Sequence, residues 1–172
     1  GGFGIYFSLD LDKYKNTTFV YNDINYLNYN LFRHLKSESF LSYFSSVKMD
    51  EKFYNLAKSM IYNCSDLEKA IYWLTILTCS VSQIDILNGT WKGDFEFEIL
   101  KMKVKQDKSY LDRINSVNNI DYKEIIAKYD SPDSFFYIDP PYFKKESYYI
   151  NHNFYGDSHI ELSEYLKNIK GK

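Results

Sequence analysis

Asp139-Pro140-Pro141-Tyr142 carries the densest chemistry in this 172-residue sequence. Two consecutive prolines fix φ and remove two backbone donors, so their turn is stiff and its carbonyls stay free to accept. A carboxylate precedes them and an aromatic ring follows. Such a shelf suits a planar ring bearing an exocyclic NH2: two acceptors take its two protons, and Tyr142 stacks on its face. The plain alternative is a Pro-Pro that merely ends a strand. A given tetrapeptide of such residues arises by chance only about once in 10^5 windows. The preceding run, Ser134 to Ile138 (SFFYI), is apolar and too short for a helix, which predicts a buried strand. Ligands of open α/β sheets bind just past the carboxyl ends of strands, where this turn falls.

Other candidates are weaker. Phe95, Phe97 and Ile99 alternate with Glu96 and Glu98, and Lys101, Lys103 and Lys105 alternate with Met102 and Val104. That spacing predicts a strand with three lysines on one face, near Trp91, Lys92 and Lys108. A phosphate-contacting stripe and an edge strand protected by lysines both fit it. Arg113, one of only two arginines, is either a reader of a guanine edge or an ordinary surface helix residue. Tyr148, Tyr149, Asn151, His152, Asn153, Phe154 and Tyr155 follow the Pro-Pro turn closely enough to cover a base held there; simple packing is the other reading. His34, His152 and His159 lack partner spacing and read as structural, and Cys64 and Cys79 as small buried hydrophobes. With no CxxC and no His cluster, no metal is expected.

The elements that must position these residues follow from local pattern. Thr17 to Tyr21 (TTFVY) predicts a strand ending at Asn22-Asp23. Ile24 to Lys36 predicts a helix with Leu27, Leu31 and Leu35 on one face. Asp50 caps a helix to about Tyr62, and Ser65-Asp66-Leu67-Glu68 is a capping box opening another, with Leu67, Ala70, Ile71, Leu74 and Leu77 inward. Asn88 to Asp94 reads as a loop. Asp107 to Val117 and Tyr122 to Tyr129 are further predicted helices. Ser158-His159-Ile160-Glu161 reads as a second capping box, with Leu162, Leu166 and Ile169 behind it. Strand–helix patterns at both ends predict an α/β fold, with the mostly helical stretch from Ser37 to Val117 inserted in its sheet.

Composition bounds the classes. At 45% apolar, the chain can bury one core without disulfides or metal. Lys plus Arg (21) against Asp plus Glu (23) gives −2, which excludes a wholly basic nucleic-acid coat but not a local patch. Two cysteines, no signal peptide and no apolar run of about 18 residues point to a reducing, cytoplasmic setting. The chain opens Gly1-Gly2-Phe3-Gly4 without Met and stops at Gly171-Lys172, so both ends are expected to cut through a domain.

The run Ser134 to Tyr142 resembles the catalytic motif of the DNA adenine-N6 methyltransferases, and more narrowly of the Dam-like group, where a cofactor motif comes first and target recognition lies between it and the catalytic motif. Gly1-Gly2-Phe3-Gly4, Asn22-Asp23-Ile24-Asn25, Asn119 to Ile126 and Asn153 to His159 fit the same group. The resemblance implies a Rossmann-like methyltransferase sheet built from 1–36 and 118–172, with 37–117 as the target-recognition insertion.

It also implies roles. Gly2 and Gly4, with Gly1 beside them, match the cofactor loop, where glycine lets backbone approach a ligand; the family's leading Phe is missing. Asp23 matches the acid that holds the ribose of S-adenosylmethionine, with a helix N-cap as its other reading. Asp121, followed by Tyr122, matches the contact to the cofactor adenine and is also a plausible N-cap. Asp139, Pro140, Pro141 and Tyr142 match the catalytic site. The adenine of duplex DNA would be flipped out, its amino group held by Asp139 and the Pro140 carbonyl, and the sulfonium methyl transferred in line without a covalent enzyme intermediate. Lys92, Lys101, Lys103, Lys105 and Arg113 would contact the DNA. A cognate restriction endonuclease is a compatible partner. Cytosine-N4 methylation and a degenerate DNA-binding homologue are the rival readings. The piece as it stands is expected to be inactive alone.

Overall fold

The β-branched run after Thr17 forms strand β1 (Phe19–Asn22), which pairs in parallel with β2 (Ile114–Asn118). The computed structural model describes residues 6–81, 87–93, 97–146, 149 and 154–172. The register sets Val20 against Ser116, Tyr21 against Val117 and Asn22 against Asn118, with an irregularity after Phe19. There the skipped Asn115 side chain accepts the Phe19 N–H at 2.8 Å, so the bulge leaves that donor satisfied. Parallel strands need a long crossover. Here it is made of helices α1 (Tyr26–His34), α2 (Glu38–Ser46), α3 (Glu51–Met60), α4 (Asp66–Cys79), α5 (Phe97–Gln106) and α6 (Lys108–Asp112). The chain is mixed α/β and mostly helical.

Helix α4 is the hub, with α1, α2 and α3 all packed on it. Leu27, Leu31 and Leu35 are buried at their helical spacing, as the sequence predicts. On α4 the most buried side chains are Ala70, Ile71, Trp73, Thr75, Ile76 and Cys79, whereas Leu67, Leu74 and Leu77 are only half-buried. The inward face is therefore rotated from the leucine stripe, because three helices rather than one cover α4.

Asp50 caps α3 through the Phe53 N–H, and the Ser65–Glu68 capping box opens α4 as expected. Glu68 Oε2 accepts from the Ser65 hydroxyl at 2.6 Å and its N–H at 3.0 Å. These donors hold the Glu68 carboxyl below the usual carboxylate range. A group depressed in the folded state stabilises above its unfolded pKa and loses that contribution as pH falls through the folded value. Ser65→Ala is accordingly expected to cost about 1 kcal/mol in urea denaturation at neutral pH, and less at acidic pH.

Expectations fail at α5, at β2 and at the helix after Asp157. Phe97–Gln106 is helix α5, not a strand: Phe97, Leu100 and Val104 face the core at helical spacing, and Glu, Leu, Lys, Met and Gln are strong helix formers. Phe95 lies outside the described residues. The stretch Asp107 to Val117 is only briefly helical, as α6, and then becomes β2, because β1 offers Ile114 to Asn118 a strand partner. The second capping box does not form. Helix α8 (Ser158–Leu166) starts after Asp157 without a side-chain cap, and Glu161 pairs with Lys123 of α7 (Tyr122–Tyr129) instead.

Ile126, Phe154 and Leu162 are buried outside the main core, which runs from Leu27 to Ile114. The C-terminal stretch thus buries these three apolar side chains apart from that cluster. Tyr165 of α8 donates to the Lys123 carbonyl at 3.1 Å, and Tyr122 meets Tyr165 edge-on. Among the described residues no helix is long and apolar enough to cross a membrane.

Candidate functional site

The carboxyl edge of the β1–β2 pair is laced by amides. The Asp23 N–H donates to the Asn118 carbonyl at 3.1 Å, and Asn119 Nδ2 donates to the carbonyls of Asp23 and Ile24 at 2.7 and 2.9 Å. Asn22 exchanges side-chain bonds with the backbone of Ile120. Asp23 and Asp121 are thereby brought to one edge, each just past its strand.

Asp23 is not the cap of α1. Asn25 caps it by accepting the Leu27 N–H, and Asp23 Oδ1 accepts the Asn25 N–H at 2.9 Å. Asp23 Oδ2 accepts the Tyr21 hydroxyl at 2.8 Å and Asn28 Nδ2 at 2.9 Å. Burial, and then the neighbouring Asp23, push the Tyr21 phenol far up, so its O–H remains a donor. Of the roughly four lone-pair directions of a carboxylate, three are taken, which leaves Asp23 one further donor to accept. Asp121 does cap its helix, accepting the Lys123 N–H at 2.8 Å. Tyr122 turns its ring edge-on to Phe154 and Tyr165, and its buried hydroxyl has no partner among the described residues; burial raises its pKa.

The segment Ser134 to Ile138 is extended but not buried on both faces. Phe135 and Tyr137 are 77% and 51% exposed, which corrects the expectation of a fully buried strand. Its other side is anchored by backbone. Lys172 N–H donates to the Ser134 carbonyl and Phe136 N–H to the Lys172 carbonyl, at 2.9 and 2.7 Å. That is the bonding pattern of a parallel pair, crossed by α8. Asp130 secures it by accepting the N–H groups of Lys170 and Gly171. A Cβ at Gly171 would lie 2.9 Å from the Ser134 carbonyl, so the close approach needs glycine.

Asp139 and Tyr142 emerge exposed from this segment, with Pro140 and Pro141 half-buried between them. The Lys145 N–H closes the next turn on the Tyr142 carbonyl at 2.8 Å, with Lys144 at positive φ. Tyr142 meets Tyr149 edge-on, Phe143 meets His159, and Glu146 Oε1 lies 3.3 Å from His159 Nε2. Phe154 is buried. Tyr148, Asn151, His152 and Asn153 lie outside the described residues, as do Gly1, Gly2 and Gly4.

The lysine stripe is not a stripe. On helix α5, Lys103 points away from the side shared by Lys101 and Lys105. Lys101 is committed to Glu98 and the Ser45 carbonyl, while Lys103 and Lys105 are exposed. Arg113 donates to the Tyr14 carbonyl at 2.6 Å and lies over the Phe19 ring, so it ties the turn at Leu11–Tyr14 to β1. Lys92 is exposed beside Trp91, whose segment bridges back to Ser80.

Tyr21, Asn28, Trp73 and Asn119 carry the site's hydrogen bonds without having been legible as site residues. Only the amide-rich flanks of Asp23 and Asp121 hinted at them. Among the described residues no three His, Cys, Asp or Glu side chains form a metal-holding group. No family model, no curated protein and no solved structure matches this chain.

Proposed function

We propose that this chain carries the cofactor and catalytic sites of a Dam-like, S-adenosylmethionine-dependent DNA adenine-N6 methyltransferase. Its sheet would be Rossmann-like, with 37–117 as target-recognition insertion. One observation supports this above all. Asp23, Asp121 and Asp139 each leave the carboxyl end of an extended segment that bonds in parallel with another, where ligands of α/β sheets bind.

The acceptors present fit the cofactor. Asp23 has one acceptor direction left for a ribose hydroxyl, and Asp121 stands half-buried at the same edge. When bound, S-adenosylmethionine supplies a methyl group on a positively charged sulfur. The chain's residues do the positioning. Asp139 and the Pro140 carbonyl accept the two protons of a flipped adenine amino group, Pro141 stiffens the shelf, and Tyr142 stacks on the base. Lys103 and Lys105 are exposed cations available to phosphates, Lys92 is a third exposed lysine, and Lys101 and Arg113 are engaged within the protein.

Nucleoside mass spectrometry of duplex DNA treated with the intact protein and S-adenosylmethionine is expected to show N6-methyladenine. N4-methylcytosine instead would assign the shelf to the other exocyclic amine. Absence of S-adenosylmethionine binding in isothermal titration would overturn the reading in favour of a DNA-binding homologue.

A further inference from the structure

We infer that Asn28 and Trp73 are positioning residues for Asp23, so that α4, a core helix of the insertion, orients the carboxylate that takes the cofactor ribose. The inference rests on the function proposed above and adds to it residues that touch neither cofactor nor base.

The contacts form one chain. Trp73 Nε1 donates to Asn28 Oδ1 at 2.8 Å, and Asn28 Nδ2 donates to Asp23 Oδ2 at 2.9 Å. Trp73 is 2% exposed, so its indole N–H has no recourse to water and holds the Asn28 oxygen. The amide orientation is then forced. A flipped Asn28 would set its oxygen against the carboxylate and its NH2 against the indole N–H. The Tyr21 hydroxyl reaches the same Oδ2 from β1, so donors on two elements fix one oxygen. Closing the loop at residues 23–25 does not require this. The Asn25 N–H on Oδ1 and the Asn25 cap already do so. What Asn28 and Tyr21 add is the rotation of the carboxylate, which sets where its remaining lone pair points. Trp73 sits in the main core with α1 packed on α4, so that direction is inherited from the rigid body of the protein.

The test is isothermal titration of S-adenosylmethionine into the intact protein and into Trp73→Phe and Asn28→Ala, with thermal melting and duplex DNA binding measured alongside. Loss of one oriented hydrogen bond is expected to weaken S-adenosylmethionine by about tenfold in either variant. In kinetics, KM for S-adenosylmethionine rises by the same factor, kcat at saturation is retained, and DNA affinity is unchanged. A purely structural role would lower the melting temperature and leave cofactor affinity in the folded protein untouched, and that result overturns the inference. Should Trp73→Phe not fold, Asn28→Ala on the half-buried surface of α1 decides alone. If the unsubstituted protein fails to bind S-adenosylmethionine, the proposed function falls. If it binds and Asn28→Ala binds equally well, only the positioning role falls.

Discussion

Asp139→Ala is expected to abolish methyl transfer while leaving duplex DNA binding and stability in place. The carboxylate is exposed at the end of the Ser134–Ile138 segment, and truncating an exposed side chain changes stability by no more than about 0.5 kcal/mol. Under the proposed function, its role would lie in the transition state. As the amino nitrogen attacks, positive charge develops on it, and a fixed acceptor anion is the group that stabilises that charge. Removing one preorganised partner of this kind costs about 10²–10³ in rate, and losing the amine's orientation adds to the deficit. Asp139→Asn keeps an acceptor oxygen but not the charge, so it should fall between the two. Single-turnover methylation read by nucleoside mass spectrometry, with DNA affinity from fluorescence anisotropy, separates chemistry from binding. Unchanged turnover in Asp139→Ala would remove the catalytic assignment.

Phe40→Ala is expected to cost about 3–5 kcal/mol of folding stability. Phe40 is fully buried on α2, stacked on Phe44 with ring centroids 5.5 Å apart and planes 21° from parallel. Its loss leaves a cavity in the main core, whose hub α4 is held by three helices that cannot all shift to fill it. Against a typical total of about 5–15 kcal/mol, that is a large share. For a chain of this size it corresponds to a drop of about 6–20 °C in melting temperature. Urea denaturation followed by circular dichroism measures it. A cost below about 1 kcal/mol would mean that Phe40 is not part of the folding core.

What could be read from sequence was whatever local chemistry decides. The Leu27, Leu31 and Leu35 stripe, the Asp50 cap and the Ser65–Glu68 box depend on residues within a turn or two of one another, and the structure carries them as expected. Two of the failures share a cause. Ile114 to Asn118 and Phe97 to Gln106 are short stretches whose preference is settled by a distant partner: β1 for the former, the core facing Phe97, Leu100 and Val104 for the latter. At the candidate site, Asp23 and Asp139 were named from a motif at an expected strand end, and Asp121 from the resemblance alone. Their hydrogen-bond partners were not. Asn28 and Trp73 are 45 residues apart, and neither carries a local signal of its task.

That Ile126, Phe154 and Leu162 are buried outside the main core has an energetic consequence. Elements that share few apolar contacts with a main core can open as a separate cooperative unit, at less than the global unfolding free energy. The turn bearing Asp139 is attached to that unit through α8 and the Lys172 pairing, while Asp23 is attached to the α1–α4 body. The two halves of the proposed site therefore stand on ground of unequal firmness. Under the proposed function, the shelf that would admit and release an extruded base could then loosen at a lower cost than the carboxylate assigned to the cofactor.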